Sequence, residues 1–189
     1  TTGVNQVINA TTTGNKAIGI GGTMSDNGTT TVNMINNDTV QISAIVPQTL
    51  TFAISSNSIA FGSLSNANPK YASSTNTGGD TADTVAHTLT VSTNAPSGYT
   101  ITVQGQTLTS QQNSANTINA IGAVPATSAI NTEQFGIYAT KSGGVNGTIA
   151  TPFATASSFG YNATATTSAT FASGSSATAV ETYSLHYIA

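Results

Sequence analysis

Two histidines, six acids and three lysines are the side chains, tyrosines aside, that this chain of 189 residues offers for acid, base or metal chemistry. His87 and His186 stand in segments of strand character, and neither has an Asp or Glu at the spacing of a metal ligand set or catalytic relay. Both read as hydrogen-bonded structural histidines. Serine is abundant, but no Gly-x-Ser-x-Gly nucleophile elbow occurs. Asp26, Asp38, Asp80, Asp83, Glu133 and Glu181 are too sparse for a calcium loop with ligands at alternate positions. Asp80 with Asp83, in a Gly-containing loop, could hold one calcium ion or simply be solvated. Lys16, Lys70 and Lys141 allow either an internal isopeptide bond to an Asn beside an acid or three solvated lysines. Asn9, Asn27, Asn37, Asn146 and Asn162 each open an Asn-x-Thr tripeptide, a glycosylation acceptor where the machinery exists. No pair of titratable groups has the spacing of a general acid and base, so no catalytic, metal or cofactor residue is expected and the chain does not read as an enzyme.

Charge excludes other classes. Only 5% of residues are charged and there is no Arg, so nothing can neutralise a run of phosphates or dock on anionic headgroups. Nucleic acid and membrane surfaces are not expected partners, and no apolar run is long enough to insert in a bilayer. Hydrophobic residues still make up 38% and alternate regularly, which separates the chain from disordered polar sequences. Cysteine is absent, so no disulfide or thiolate site holds the fold. The start at Thr1-Thr2-Gly3 reads as a mature product after signal removal or as a trimmed chain.

The elements that must position these residues are strands. Val40, Ile42, Ala44 and Val46 alternate up to Pro47; Leu50, Phe52 and Ile54 alternate again, and Ile59 with Phe61 makes a short third strand. Val85, His87, Leu89 and Val91 share a face. Asn94-Ala95-Pro96-Ser97-Gly98 then reads as the turn of a hairpin leading into Tyr99, Ile101 and Val103. Phe135, Ile137 and Ala139 form another strand, and Tyr183, Leu185, Tyr187 and Ala189 another. Upstream, Ser25-Asp26-Asn27-Gly28 predicts a type I′ hairpin between residues 17–24 and 30–35. The total, about eight to ten mostly antiparallel strands, predicts an all-β sandwich or jelly roll over residues 15–189. Residues 64–82, 110–131 and 150–176, rich in Ser, Thr, Asn and Ala, read as long connections. Residues 1–14, with Val4, Val7 and Ile8 among polar residues, read as an extended N-terminal segment: a candidate donor strand, or an ordinary first strand or frayed terminus.

The segment from Leu89 through Asn94-Ala95-Pro96-Ser97-Gly98-Tyr99 to Val103, followed by Glu133-Gln134-Phe135-Gly136-Ile137-Tyr138, resembles secreted β-sandwich proteins of bacterial cell surfaces. These are the WxL-type domains and, more distantly, TasA/camelysin-like fibre subunits, and the likeness covers about half of the chain. It implies a secreted, extracellular or cell-surface structural protein that polymerises with copies of itself by giving a strand to a neighbour. The chain has no Trp, so the Trp-x-Leu element tied to peptidoglycan attachment is missing, as is a Leu-Pro-x-Thr-Gly sorting signal. The alternatives are an adhesin or carbohydrate-binding sandwich, with Tyr71, Tyr99, Tyr138 and Tyr161 as contacts to cell-surface glycans, and a surface-layer component.

Overall fold

Alternation of β-branched and aromatic residues with Thr and Ser suits a pleated ribbon with one buried face. A computed structural model describes residues 11–23, 25–35 and 40–189 of the chain. Its described residues form thirteen strands and no helix, and every strand-to-strand pairing is antiparallel. The chain divides between Val46 and Pro47 into two units.

In the first unit, β1 (Gly14–Ile20) pairs with β2 (Gly28–Met34), as the sequence predicts. The turn is different. Ile20 lies opposite Gly28, so residues 21–27 form the connection and Gly28 already belongs to the ladder. A seven-residue loop rich in Gly needs no type I′ geometry at Asn27-Gly28. Residues 40–46 form no strand. Their alternation has the right period, but a strand exists only against a partner, and none of the described residues supplies one.

The second unit is a sandwich of unequal sheets. Its large sheet has the order β3 (Leu50–Ile54), β4 (His87–Thr93), β13 (Thr178–Ile188), β9 (Gly136–Gly143), β11 (Phe159–Tyr161), β8 (Gly122–Ala126). The small sheet has the order β10 (Gly147–Ile149), β12 (Thr164–Gly174), β5 (Tyr99–Gly105), and β6 (Leu108–Thr109) pairs with β7 (Thr117–Ile118) as a short ribbon. Leu89, Val91, Ile137, Ala139, Tyr183 and Leu185 from the large sheet meet Tyr99, Phe171 and Ala172 from the small one in a single core. The Phe171 ring sits 5.4 Å from Phe153 and 6.1 Å from Tyr183, closing the layers together. A second cluster of Tyr138, Phe159 and Ile188 lies apart from that core, with Tyr71 packed against it. Tyr71 is held there by paired backbone bonds between Lys70 and Ala189.

Three expectations change. The segments 87–91 and 99–103 are strands, with Val85 left exposed ahead of β4, but they do not form a hairpin: β4 has β3 on one side and β13 on the other, so no edge remains for β5. Residues 94–98 instead arch from one sheet to the other, where β5 pairs with β12. Gly98 makes that arch possible, since its φ is +72° and an added Cβ would overlap the Gly174 carbonyl. Residues 59–61 contribute only an isolated bridge, Ala60 to Ser73. Among the long connections, 110–131 contains β7 and β8, and 150–176 contains β11 and the eleven-residue β12, the centre of the small sheet. The small Ala, Ser and Thr side chains of β12 gave little periodic signal, and Phe171 is its one large apolar residue.

Candidate functional site: an uncovered sheet face beside an open edge

Cross-strand partners in an antiparallel ladder point to the same face of the sheet. Leu50, Phe52 and Ile54 of β3 pair with Thr93, Val91 and Leu89 of β4, which are buried between the sheets. The three β3 residues therefore face inward, yet they are 62%, 46% and 52% exposed. The cause is the mismatch between six strands and three: the small sheet ends at β5, one strand short of covering β3. A hollow of about 330 Å³ marks the gap, lined by Leu50 and Phe52 of β3, Val91 of β4 and the Tyr99–Thr102 stretch of β5.

The two edges flanking this groove lack two of the usual protections, Pro and charge, while the β5–β12 ladder does contain register shifts. Natural sheet edges are blunted by Pro, charge or bulges. The far edge strand β8 carries Pro125 and a register shift, whereas β3 (LTFAI) and β5 (YTITVQG) have neither Pro nor a charged residue. Among the described residues β5 pairs with β12 alone, so the other side of its Tyr99–Val103 stretch has no ladder partner there and lies next to an apolar floor.

Behind the groove, a buried polar knot fixes β5. The Tyr99 hydroxyl donates to Glu181 and lies 2.5 Å from the Tyr183 hydroxyl. Glu181 is fully buried and also accepts from the amides of Asn146 (3.0 Å) and Gly147 (2.8 Å), with Lys141 Nζ at 3.4 Å. Burial works to raise the pKa of Glu181, but the Tyr99 hydroxyl and the two amides outweigh it and bring the value down to about 2. Burial first, then the neighbouring Glu181, pushes the Tyr99 phenol up, so it stays a donor. Gly147 has to be Gly, because a Cβ there would overlap Glu181, Tyr183 and Tyr99.

A second polar cluster ties residues 80–84 to the large sheet. Asp83 accepts from Tyr138 (2.5 Å) and bonds His186 Nδ1 (2.8 Å), and the His186 ring stacks on Tyr138 at 4.2 Å. His87 Nε2 bonds the Tyr187 hydroxyl at 2.7 Å, and burial lowers the His87 pKa. Both histidines are thus tied into aromatic partners. Asp80 binds Asn76 and Thr84 while Asp83 turns to Tyr138 and His186, so the two carboxylates serve different networks. Among the described residues no three His, Cys, Asp or Glu side chains gather as metal ligands.

The remaining sequence-predicted residues scatter. Val4, Val7, Ile8, Asn9 and Asn37 lie outside the described residues. Asn27 is exposed in the β1–β2 connection and Asn162 is exposed just after β11. Asn146 is half-buried, its Nδ2 donating to the Ala177 carbonyl at 2.7 Å. Lys16 binds Thr12, Lys70 binds the Gly78 carbonyl, and Lys141 sits against Glu181, half-buried instead of solvated. Of the four tyrosines considered for sugars, Tyr99, Tyr138 and Tyr161 are buried, so their ring faces are not available for stacking on a glycan. Another hollow, about 430 Å³, is lined by Leu64, Asn66, Asn68, Ile118 and Glu133 among others and contains none of those tyrosines.

Sequence reading found β3 and β5 as strands but missed that their inner sides are uncovered. The legible signal was the absence of Pro and charge from both. Comparison with known proteins found no matching family model, no similar curated protein and no similar solved structure.

Proposed function

We propose that this chain is the structural subunit of an extracellular filament or pilus-like fibre, joined by strand donation between neighbouring copies. The observation that carries the reading is the inward face of β3, left largely exposed beside a β5 edge that forms no further ladder among the described residues. A strand hydrogen-bonded to β3 would lengthen the large sheet and leave the inner face bare. A strand hydrogen-bonded to β5 supplies the missing fourth strand of the small sheet and covers Leu50, Phe52 and Ile54. In such strand addition, backbone bonds give affinity and alternate side chains filling the groove give specificity. A donor on one part of the subunit and an acceptor on another make a head-to-tail contact that does not close on itself, which generates threads. The low charge, formally −3 over the whole chain, keeps repulsion between crowded subunits small. Secretion to the cell surface goes with this reading, as does the resemblance to fibre-forming surface proteins.

Negative-stain electron microscopy of the purified chain tests the reading. Threads are the expected result. Persistent monomers at high concentration overturn it, and flat arrays would replace it with a surface lattice.

A further inference from the structure

The groove calls for a strand with apolar residues at every second position, no charge, and a length that matches β5. Residues 1–14 fit this poorly, because Val4, Val7 and Ile8 are spaced three and then one apart. A ribbon with period two sends Val7 and Ile8 to opposite faces. Residues 40–46 fit in every respect. Val40, Ile42, Ala44 and Val46 alternate with Gln41, Ser43 and Ile45, there is no charged residue or Pro inside the run, and Pro47 ends it. Seven residues match the seven of β5.

The segment is also presented for capture. Val40, Ile42, Ile45 and Val46 are 85%, 91%, 95% and 78% exposed, and the stretch takes part in no ladder among the described residues. Apolar side chains exposed in sequence along an unpaired segment are uncommon in a soluble monomer, and they mark an interaction surface. The stem that follows is anchored. Pro47 accepts from Asn94 Nδ2 at 2.9 Å, Thr49 N donates to Asn94 Oδ1 at 2.7 Å, and the Thr93 hydroxyl donates to the Thr49 carbonyl at 2.7 Å.

Resting on the strand-donation reading above, we infer that Val40–Val46 is the donor strand, and that it pairs with β5 of a second copy so that Val40, Ile42, Ala44 and Val46 face Leu50, Phe52 and Ile54. The outward residues Gln41, Ser43 and Ile45 then lie in the same exposed row as Thr100 and Thr102 of β5. Neighbouring strands bring paired Cα atoms to about 4.5–5.5 Å, which is within disulfide reach.

Because the 189 residues contain no cysteine, engineered pairs report this contact directly. A full chain carrying Thr102→Cys is mixed with size-tagged full chains carrying Gln41→Cys, Ser43→Cys or Ile45→Cys, three positions that cover register shifts of two residues. Further mixtures use Asn5→Cys and Gln6→Cys. The inference expects a disulfide-linked heterodimer from at least one of the first three and none from the N-terminal pair. Crosslinking only from Asn5 or Gln6 overturns the donor assignment and leaves strand donation standing. An intramolecular bond in the Ser43→Cys/Thr102→Cys double variant, with no heterodimer in the mixtures, means the segment closes its own domain and overturns the inference. No crosslink from either segment, together with monomers in the microscope, sinks both the inference and the reading beneath it.

Discussion

Replacing Phe52 by lysine separates folding from assembly, because this residue is inward-facing yet only partly covered. Complete burial of a Phe side chain is worth about 1.5–3 kcal/mol. At 46% exposure, roughly half of that, about 1 kcal/mol, is already realised in the single chain. Lysine keeps an aliphatic stem to lie along Val91 while its ammonium reaches water, so the monomer loses about 1 kcal/mol or less. For a domain of this size that is a drop of roughly 2–4 °C in Tm. In the assembled state the groove is closed by the incoming strand, and the ammonium is trapped without a partner beside Leu50, Val91 and Ile101. Trapping an unpaired charge costs several kcal/mol even after relaxation. A net effect on assembly of about 3 kcal/mol or more raises the critical concentration by more than about 100-fold. The assay couples a thermal melt below the assembly threshold with sedimentation velocity and electron microscopy above it. Threads at an unchanged threshold would refute the placement of the groove in the interface. A fall in Tm well beyond the range above would mean that Phe52 belongs to the core of the monomer.

Two further substitutions test the framework that holds β5. Glu181→Ala removes the acceptor shared by Tyr99, Asn146, Gly147 and Lys141, and breaking such a buried arrangement is expected to cost about 3–5 kcal/mol, read from urea unfolding at neutral pH. The Glu181 pKa falls from 4.5 to about 2 on folding, so its stabilisation is complete above about pH 4.5 and is lost as pH drops through 2. Glu181→Gln should flatten that acid limb, and an unchanged pH profile between 2 and 5 would assign the acid dependence elsewhere. Gly98→Ala places a Cβ against the Gly174 carbonyl at a positive φ; the left-handed backbone alone costs about 1–2 kcal/mol, and the clash adds to it. A Tm within 2 °C of the parent would show that the arch can relax without cost.

The β class was legible wherever large apolar residues alternate with Thr and Ser. Leu50–Ile54, Leu89–Val91, Ile137–Ala139 and Tyr183–Leu185 all lie in strands, because period two puts their bulk on one face of a ribbon and gives it something to bury. β12 was hidden, since Ala and Ser pack under a sheet without announcing themselves as apolar. The turn before Tyr99 was recognised and its role was not: Pro96 and Gly98 say that the chain reverses, but the edges already taken on β4 decide that it reverses into the other sheet. Likewise Glu181 is an ordinary acid in the sequence, and only the meeting of β5, β10 and β13 turns it into the acceptor at the centre of a buried knot.

Composition alone determined one thing about how the fold is held, for a chain without cysteine cannot be stapled by disulfides. It also determined that strands form, since side-chain periodicity is a local property written residue by residue. Which strands find partners is not local. The tertiary structure decided that, among the described residues, one inward face stands largely exposed beside an open edge and a run of equal length stands exposed without a ladder, because strand pairing depends on how many strands each sheet holds, a count that the spacing within a segment does not encode.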